Sequence, residues 1–520
     1  MSLATGTIIF AIATFFSRIT GLLRDISFAS IFGTSSQYDA YLIAILIPFF
    51  LRKIFAEGAM QLAFIPMFNE RLNDRNYDGK IRLGRSTGGN TGLNRNASEF
   101  ASTIITLMSI LTIITTLIGV SFSGSIAQAF SGSYDESVIE LTSLLIKITF
   151  PFVLFISLWA IYYSILNSFS FFFIPAISPL IINLSTITGI FLSKFFTPAI
   201  LGPSFGFILG GLLQLILLAI YARKKVRFKY RFSFNLKMVK KFLPFFLISS
   251  ITPAINQINS LIDVKVGTDL GVGVVSSLQY AMRLYQLPLG IFGVAVATVA
   301  FPNIAELINT KKIKEAARTI WEATSTMFFY IFPSTVALFL LGKDMIVLLF
   351  ERGRFTPEDT MNVSAILMGF ALGLLFYSGY NVLSKSFFAE KKPLIPTLVS
   401  FLMVGTNIVL DIVLGYSMGP VGIALATSIA GGVGFVIVFF LTVRKYKIAR
   451  SFLIHTSKIS VCTLMMGIFM FTFRRYILGD SLGLILNIVI SVFVYLFFAH
   501  ILKVKDVKMI IGKLKRRTNG

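Results

Sequence analysis

Seven ionisable residues crowd into two otherwise apolar stretches near the start of the chain: Arg18, Arg24 and Asp25, then Asp39, Arg52, Lys53 and Glu57. At bilayer depth each would cost at least about 2.5–3.5 kcal/mol on insertion scales, so each needs a reason to be there. On an ideal helix Arg18 and Asp25 share a face, as do Ser17 and Arg24, and the two arginines point roughly 120° apart with Gly21 between them as a place to bend. Lys53 and Glu57 stand one helical turn apart and can pair. A further arginine, Arg283, lies in an apolar stretch of the second half. Arginine keeps its proton and presents a planar fork of donors that suits phosphate oxygens. Arg18, Arg24, Arg52 and Arg283 outnumber the carboxylates near them, so a cavity they line would attract a di-anionic headgroup. The alternative, chiefly for Lys53 and Asp39, is an end-of-helix residue snorkelling to the interface or a structural ion pair.

The second half holds the opposite sign. Asp263 ends one apolar run, Asn407 and Asp411 share a face of another, and Thr427 lies in the next. Two carboxylates, an amide and a hydroxyl form an all-oxygen set of hard ligands, fit for a small cation such as Na⁺. Ordinary hydrogen bonding between helices would use the same residues.

The elements that must position these groups follow from composition. Of 520 residues 55% are hydrophobic and only 13% charged, against roughly a quarter charged in a soluble domain; mean hydropathy is +0.82. The apolar residues fall in blocks of about 20, enough for a helix to cross a hydrocarbon core of about 30 Å. Continuous runs such as 205–220 and 482–498 lack the alternation of a membrane β-barrel strand. The expected fold is therefore an all-α polytopic membrane protein of about fourteen transmembrane helices, the first near 7–30, the second near 38–66 and the last near 482–502. Eight prolines, among them Pro288, interrupt these runs as kinks.

Charge between the blocks gives an orientation. The segments 71–95, 222–241, 311–318, 391–392, 444–450 and 503–517 are rich in Lys and Arg, whereas 31–37, 122–136 and 417–420 carry none. The positive-inside bias then puts both termini of this multi-pass membrane protein in the cytoplasm. Arg474-Arg475 and the loop with Lys343, Arg352 and Arg354 fall on the wrong side of this scheme.

A weak repeat divides the chain. Tyr38-Asp39-Ala40 precedes Pro48 much as Gln279-Tyr280-Ala281 precedes Pro288, and Pro66 to Glu70 is echoed by Pro302 to Glu306. The copies lie six spans apart, hence in the same orientation, as in transporters built from two parallel lobes. The expected organisation is a lobe over 1–222, a second over 223–443, and two additional helices with a basic tail over 444–520.

Several classes drop out. The net charge of +24 sits in short connections and is accounted for by topology, not by a nucleic-acid partner. A single cysteine, Cys462, and two histidines leave no disulfide framework and no cysteine or histidine metal centre. No nucleophile or general base accompanies the arginines, so a lipid-phosphate enzyme is not expected. A drug or cation antiporter would want carboxylates, not arginines, in its cavity.

The stretches Ser17–Asp25, Glu57–Pro66 and Tyr280–Thr298 resemble the first-, second- and eighth-helix motifs of the MurJ (MviN) lipid II flippases, within the multidrug/oligosaccharidyl-lipid/polysaccharide exporter superfamily. Met282 departs from the Asp or Asn that many relatives carry before the arginine. The resemblance covers the whole chain and implies two six-helix lobes plus two additional helices, working as a monomer. It implies that Arg18, Arg24, Arg52 and Arg283 hold the pyrophosphate of lipid II, that Asp25 and Glu57 gate or orient them, and that Asp39 helps close the outer side. It further implies Na⁺ as a coupling ion at Asp263, Asn407, Asp411, Thr427 and the carbonyl of Ile423, with no other cofactor. The prenyl tail would stay in lipid along a groove lined by the last two helices. A flippase for another polyprenyl-linked glycan would share the pyrophosphate and stays open.

Overall fold

In the computed structural model every regular element among the described residues, 3–56, 59–72, 93–476 and 481–507, is helical. The chain divides into two compact units, Met1–Gly273 and Val274–Gly520.

The first unit opens with α1 (Leu3–Phe32) and α2 (Ser36–Phe55), joined at Gly33, whose φ of 58° lies in the left-handed region that glycine enters without strain. There follow α3 (Ala59–Leu72), α4 (Arg95–Ser121), the short α5 (Ser123–Ser131), α6 (Glu136–Thr149) and α7 (Phe152–Ser168). The unit closes with α8 (Phe173–Ile177), α9 (Pro179–Phe191), α10 (Leu201–Lys225) and α11 (Leu236–Asp269). The second unit comprises α12 (Val274–Pro288), α13 (Val294–Asn309), α14 (Ile313–Phe350) and α15 (Pro357–Ala389). It ends with α16 (Leu394–Met418), α17 (Pro420–Tyr446), α18 (Arg450–Tyr476) and α19 (Ser481–Ile501).

Twelve helical stretches among the described residues are long and apolar enough to cross a membrane, and they coincide with the third to fourteenth expected spans. The second expected span, 38–66, is not one helix. It is divided between α2, which carries Asp39, Arg52 and Lys53 within 20 residues, and the 14-residue α3. Length and apolarity thus support twelve crossings, and fourteen stays an expectation from the pattern. The expected kink at Pro288 is followed by a π-helical turn, Leu289–Gly293, between α12 and α13, a local widening that often marks functional positions. Gly21 breaks nothing: α1 runs through it as continuous helix.

Small residues decide which helices lie closest. On α10, Gly202, Gly206 and Gly210 recur every fourth residue, so they form one stripe. A Cβ at Gly206 would lie 2.4 Å from the Ser185 carbonyl oxygen, and one at Gly210 would lie 2.7 Å from the Ile182 Cα. Only hydrogen at those positions lets the α9 and α10 backbones touch, the usual way membrane helices gain van der Waals contact. The same device recurs on α15, where a Cβ at Gly373 would meet the Ser428 Oγ of α17 at 2.6 Å. These seams fix α9 and α17, the helices that stand beside α1 and α16.

One of the basic residues on the wrong side of the charge scheme, Arg474, has a local partner. Arg474 binds Asp344 through two nitrogens at 2.9 and 3.0 Å and donates to the Leu340 carbonyl. A positive charge neutralised by a neighbouring carboxylate weakens as an orientation signal.

Candidate functional site

In the first unit the charges of α1 meet a polar residue of α9. Arg24 donates to Asp25 Oδ1 from Nε at 3.0 Å and from Nη2 at 2.8 Å, and its Nη1 donates to Asn183 Oδ1 at 3.3 Å. Asp25 is 1% exposed, so this pair is desolvated and its hydrogen bonds are worth more than they would be in water. Asn183 Nδ2 donates in turn to the Ser17 carbonyl and to Thr20 Oγ1, each at 3.1 Å. One amide therefore grips the Ser17–Arg24 face of α1. A Cβ at Gly21 would sit 3.7 Å from Asn183 Nδ2, an ordinary contact, so the amide does not itself require glycine there.

Arg18 is exposed and Arg52 half-buried, with the Arg52 guanidinium 5.7 Å from the Phe49 ring centroid. Lys53 is exposed, and Glu57 lies outside the described residues. Arg283 is half-buried on α12, five residues before Pro288, in the second unit.

Asp39 is fully buried at the start of α2. Its Oδ2 accepts from the Tyr134 hydroxyl at 2.9 Å and from the Gly273 N–H at 2.6 Å. A carboxylate out of water is tolerable only with such donors. Tyr134 lies in the connection between α5 and α6; burial first, then the charge and hydrogen bond of Asp39, then Asp269, push its phenol up from the ordinary value of 10. The hydroxyl thus stays a donor. Beside it Asp269 accepts from Lys265 and Ser133, both at 2.5 Å.

In the second unit Asn407 and Asp411 are both buried on one face of α16, and the Asn407 amide donates to Asp411 Oδ2 at 2.6 Å. On α17 the Thr427 hydroxyl donates to the Ile423 carbonyl at 3.2 Å. Asp263 is half-buried on α11 and belongs to the first unit. The carboxylate and amide of α16 and the carbonyl and hydroxyl of the neighbouring α17 are hard oxygen donors of the kind that suits Na⁺.

Between α18 and α19 runs a groove of about 550 Å³, lined by apolar side chains that include Met465, Phe469, Phe493 and Phe497, with Thr472 at its wall. Its chemistry suits an isoprenoid or acyl chain.

Two of these participants, Asn183 and Tyr134, are absent from the sequence reading. Asn183 carried a usable signal, a lone amide inside an apolar run. Tyr134 carried none, because a tyrosine in a connection is ordinary.

The comparisons with known proteins agree in direction. A family model described as lipid II flippase MurJ matches residues 28–500. The chain is 36% identical to a probable lipid II flippase MurJ of Thermotoga maritima, covering 99% of each chain. It is 37% identical to the lipid II flippase MurJ of Thermosipho africanus, over 96% of this chain and 97% of that one. Among solved structures it is similar to a lipid II flippase MurJ in an inward closed conformation, with a TM-score of 0.80 and 34% identity over 95% of this chain and 98% of the other. An inward-facing multidrug-resistance transporter of the MATE family shares the fold at a TM-score of 0.63 and 15% identity, covering 85% of this chain and 99% of that one. With a matching family model across nearly its whole length and full-length relatives above 30% identity, this chain belongs to the MurJ family of lipid II flippases.

Proposed function

We infer that this chain is a transporter, not an enzyme, and that it flips lipid II, the polyprenyl-pyrophosphate-linked peptidoglycan precursor, across the bacterial inner membrane. The observation that carries this reading is a family match over residues 28–500 in a chain whose first helix bears a half-buried, hydrogen-bonded arginine, Arg24.

Arg18, Arg24 and Arg52, with Arg283 of the second unit, supply donors for the pyrophosphate. Their forks can bind two phosphate oxygens at once, and their summed charge repels cationic cargo. Asp25 holds Arg24 in place and competes with the phosphate for it, which permits release; Glu57 acts on the same set. Asp39 ties the start of α2 to Tyr134 and helps close the outer side. Alternating access of two lobes carries the headgroup while the prenyl tail stays in lipid along the α18–α19 groove, whose lining supports this part of the reading. Asp411, Asn407, Thr427, the Ile423 carbonyl and Asp263 would hold Na⁺, which supplies a positive charge that favours one arrangement of these helices over another. Basic connections support cytoplasmic termini, and the protein works as a monomer.

Depletion in the native cell is the test. Lipid II should accumulate on the cytoplasmic face, where an impermeant enzyme or label added outside cannot reach it. A different polyprenyl-linked glycan accumulating in its place would establish the second reading, a flippase of the same chemistry for another saccharide.

A further inference from the structure

The connection between α10 and α11 is built as a surface. Residues 222–241 hold nine Lys and Arg and no acid. The chain leaves α10 through Arg227, at φ 57°, and then runs back along α4 as an irregular segment. Tyr230 OH bonds Thr106 Oγ1 at 3.0 Å, Ser233 Oγ bonds Thr103 Oγ1 at 3.1 Å, and Asn235 Nδ2 donates to Glu99 at 3.1 Å. The Arg231 N–H adds a bond to Ser102 Oγ at 3.4 Å. The polar groups are thus spent on α4, and two aromatic rings are left outside: Phe232 is 79% exposed and Phe234 49%, with Lys229 and Arg231 exposed just before them in the chain.

We propose that this strap, Lys229 to Phe234, is a binding surface for anionic phospholipid headgroups of the surrounding bilayer. Exposed phenylalanines in sequence with basic residues suit neither water nor hydrocarbon, but they suit the boundary between them, where rings enter the acyl edge and cations meet phosphate. The position agrees. Only ten residues, 226–235, separate two membrane-crossing helices, so the strap stays at the surface. α4 has 27 residues, about 40 Å of helix against about 30 Å of hydrocarbon; its first turns, where the strap is tied, can therefore lie at headgroup level. The proposal is independent of whether the chain carries lipid II.

The test uses the full chain with Cys462→Ser and Phe232→Cys, a nitroxide at 232, and proteoliposomes of phosphatidylcholine alone or mixed equally with phosphatidylglycerol. Because Phe232 is largely exposed, the labelled protein should keep its parent's melting temperature. The label should become more accessible to oxygen and less to a water-soluble nickel chelate when phosphatidylglycerol is present, by about two-fold or more in their ratio. Adding Lys229→Gln and Arg231→Gln should abolish that lipid difference. Equal immersion in both lipids, a label as open to the nickel chelate as a solvated loop, or dipolar broadening from a second copy seated on the strap would each overturn the proposal.

Discussion

Asn183 of α9 and Arg24 of α1, 159 residues apart, meet through a 3.3 Å hydrogen bond while the same amide also holds Thr20. Arg24 is therefore positioned by two groups, Asp25 of its own helix and Asn183 of α9, and its aim depends on the glycine stripe that presses α10 against α9. A hydrogen bond to a charged group is worth about 1.5–3 kcal/mol. Asn183→Ala should accordingly lower transport about ten-fold or more at unchanged membrane level, measured by complementation of a depleted strain and by lipid II accessibility. Asn183→Asp should be worse, because a second carboxylate beside Arg24 would compete with phosphate. Transport equal to wild type in both variants would leave Asn183 a packing residue.

The arginines themselves carry the functional reading. Alanine at Arg18, Arg24, Arg52 or Arg283 should abolish complementation, and lysine, which keeps the charge but loses the fork, should damage less where one donor suffices. Blots must first show normal membrane levels. Well-expressed alanine variants at all four positions that support cell-wall synthesis would sink the pyrophosphate site. Loss confined to α1 and α2 would leave Arg283 a structural role.

Tyr134→Phe removes one of the donors to buried Asp39 and should cost about 1–3 kcal/mol, seen as a lower unfolding midpoint in detergent. The pH dependence has a sign. A phenol raised in the folded state contributes stability below its unfolded value and loses it as pH climbs through the folded one. The wild-type margin over Tyr134→Phe should therefore be full at neutral pH and shrink above the ordinary phenol value of 10. A margin that grows with alkalinity would contradict the buried geometry.

For the cation, Asp411→Asn keeps shape and removes the buried charge beside Asn407. Wild type should melt at higher temperature in Na⁺ than in K⁺, and the variant should show about the same midpoint in both. Identical responses of wild type and variant would reduce the Asn407–Asp411 pair to hydrogen bonding within the helix.

Much of this was legible from one dimension. Twelve of the expected spans reappear as helices with ends shifted by a few residues, because a backbone in hydrocarbon must satisfy itself and blocks of about 20 apolar residues leave only the helix. The unusual status of Arg24, Asp39 and Asp411 was equally legible, since charge in an apolar run is costly wherever it ends up. The shared face of Asn407 and Asp411 followed from helical spacing. What sequence could not supply was everything joined across helices. The break between α2 and α3 turned one expected span into two helices; Asn183 reached Arg24 only because α9 and α10 pack through Gly202, Gly206 and Gly210; Asp344 neutralised Arg474, hiding a charge the topology pattern had counted. Tyr134 reached Asp39 from 95 residues away. Hydrophobicity is a property of a segment and can be read along it, whereas a hydrogen bond between helices depends on which small residues let two backbones approach, and that is decided only when they pack.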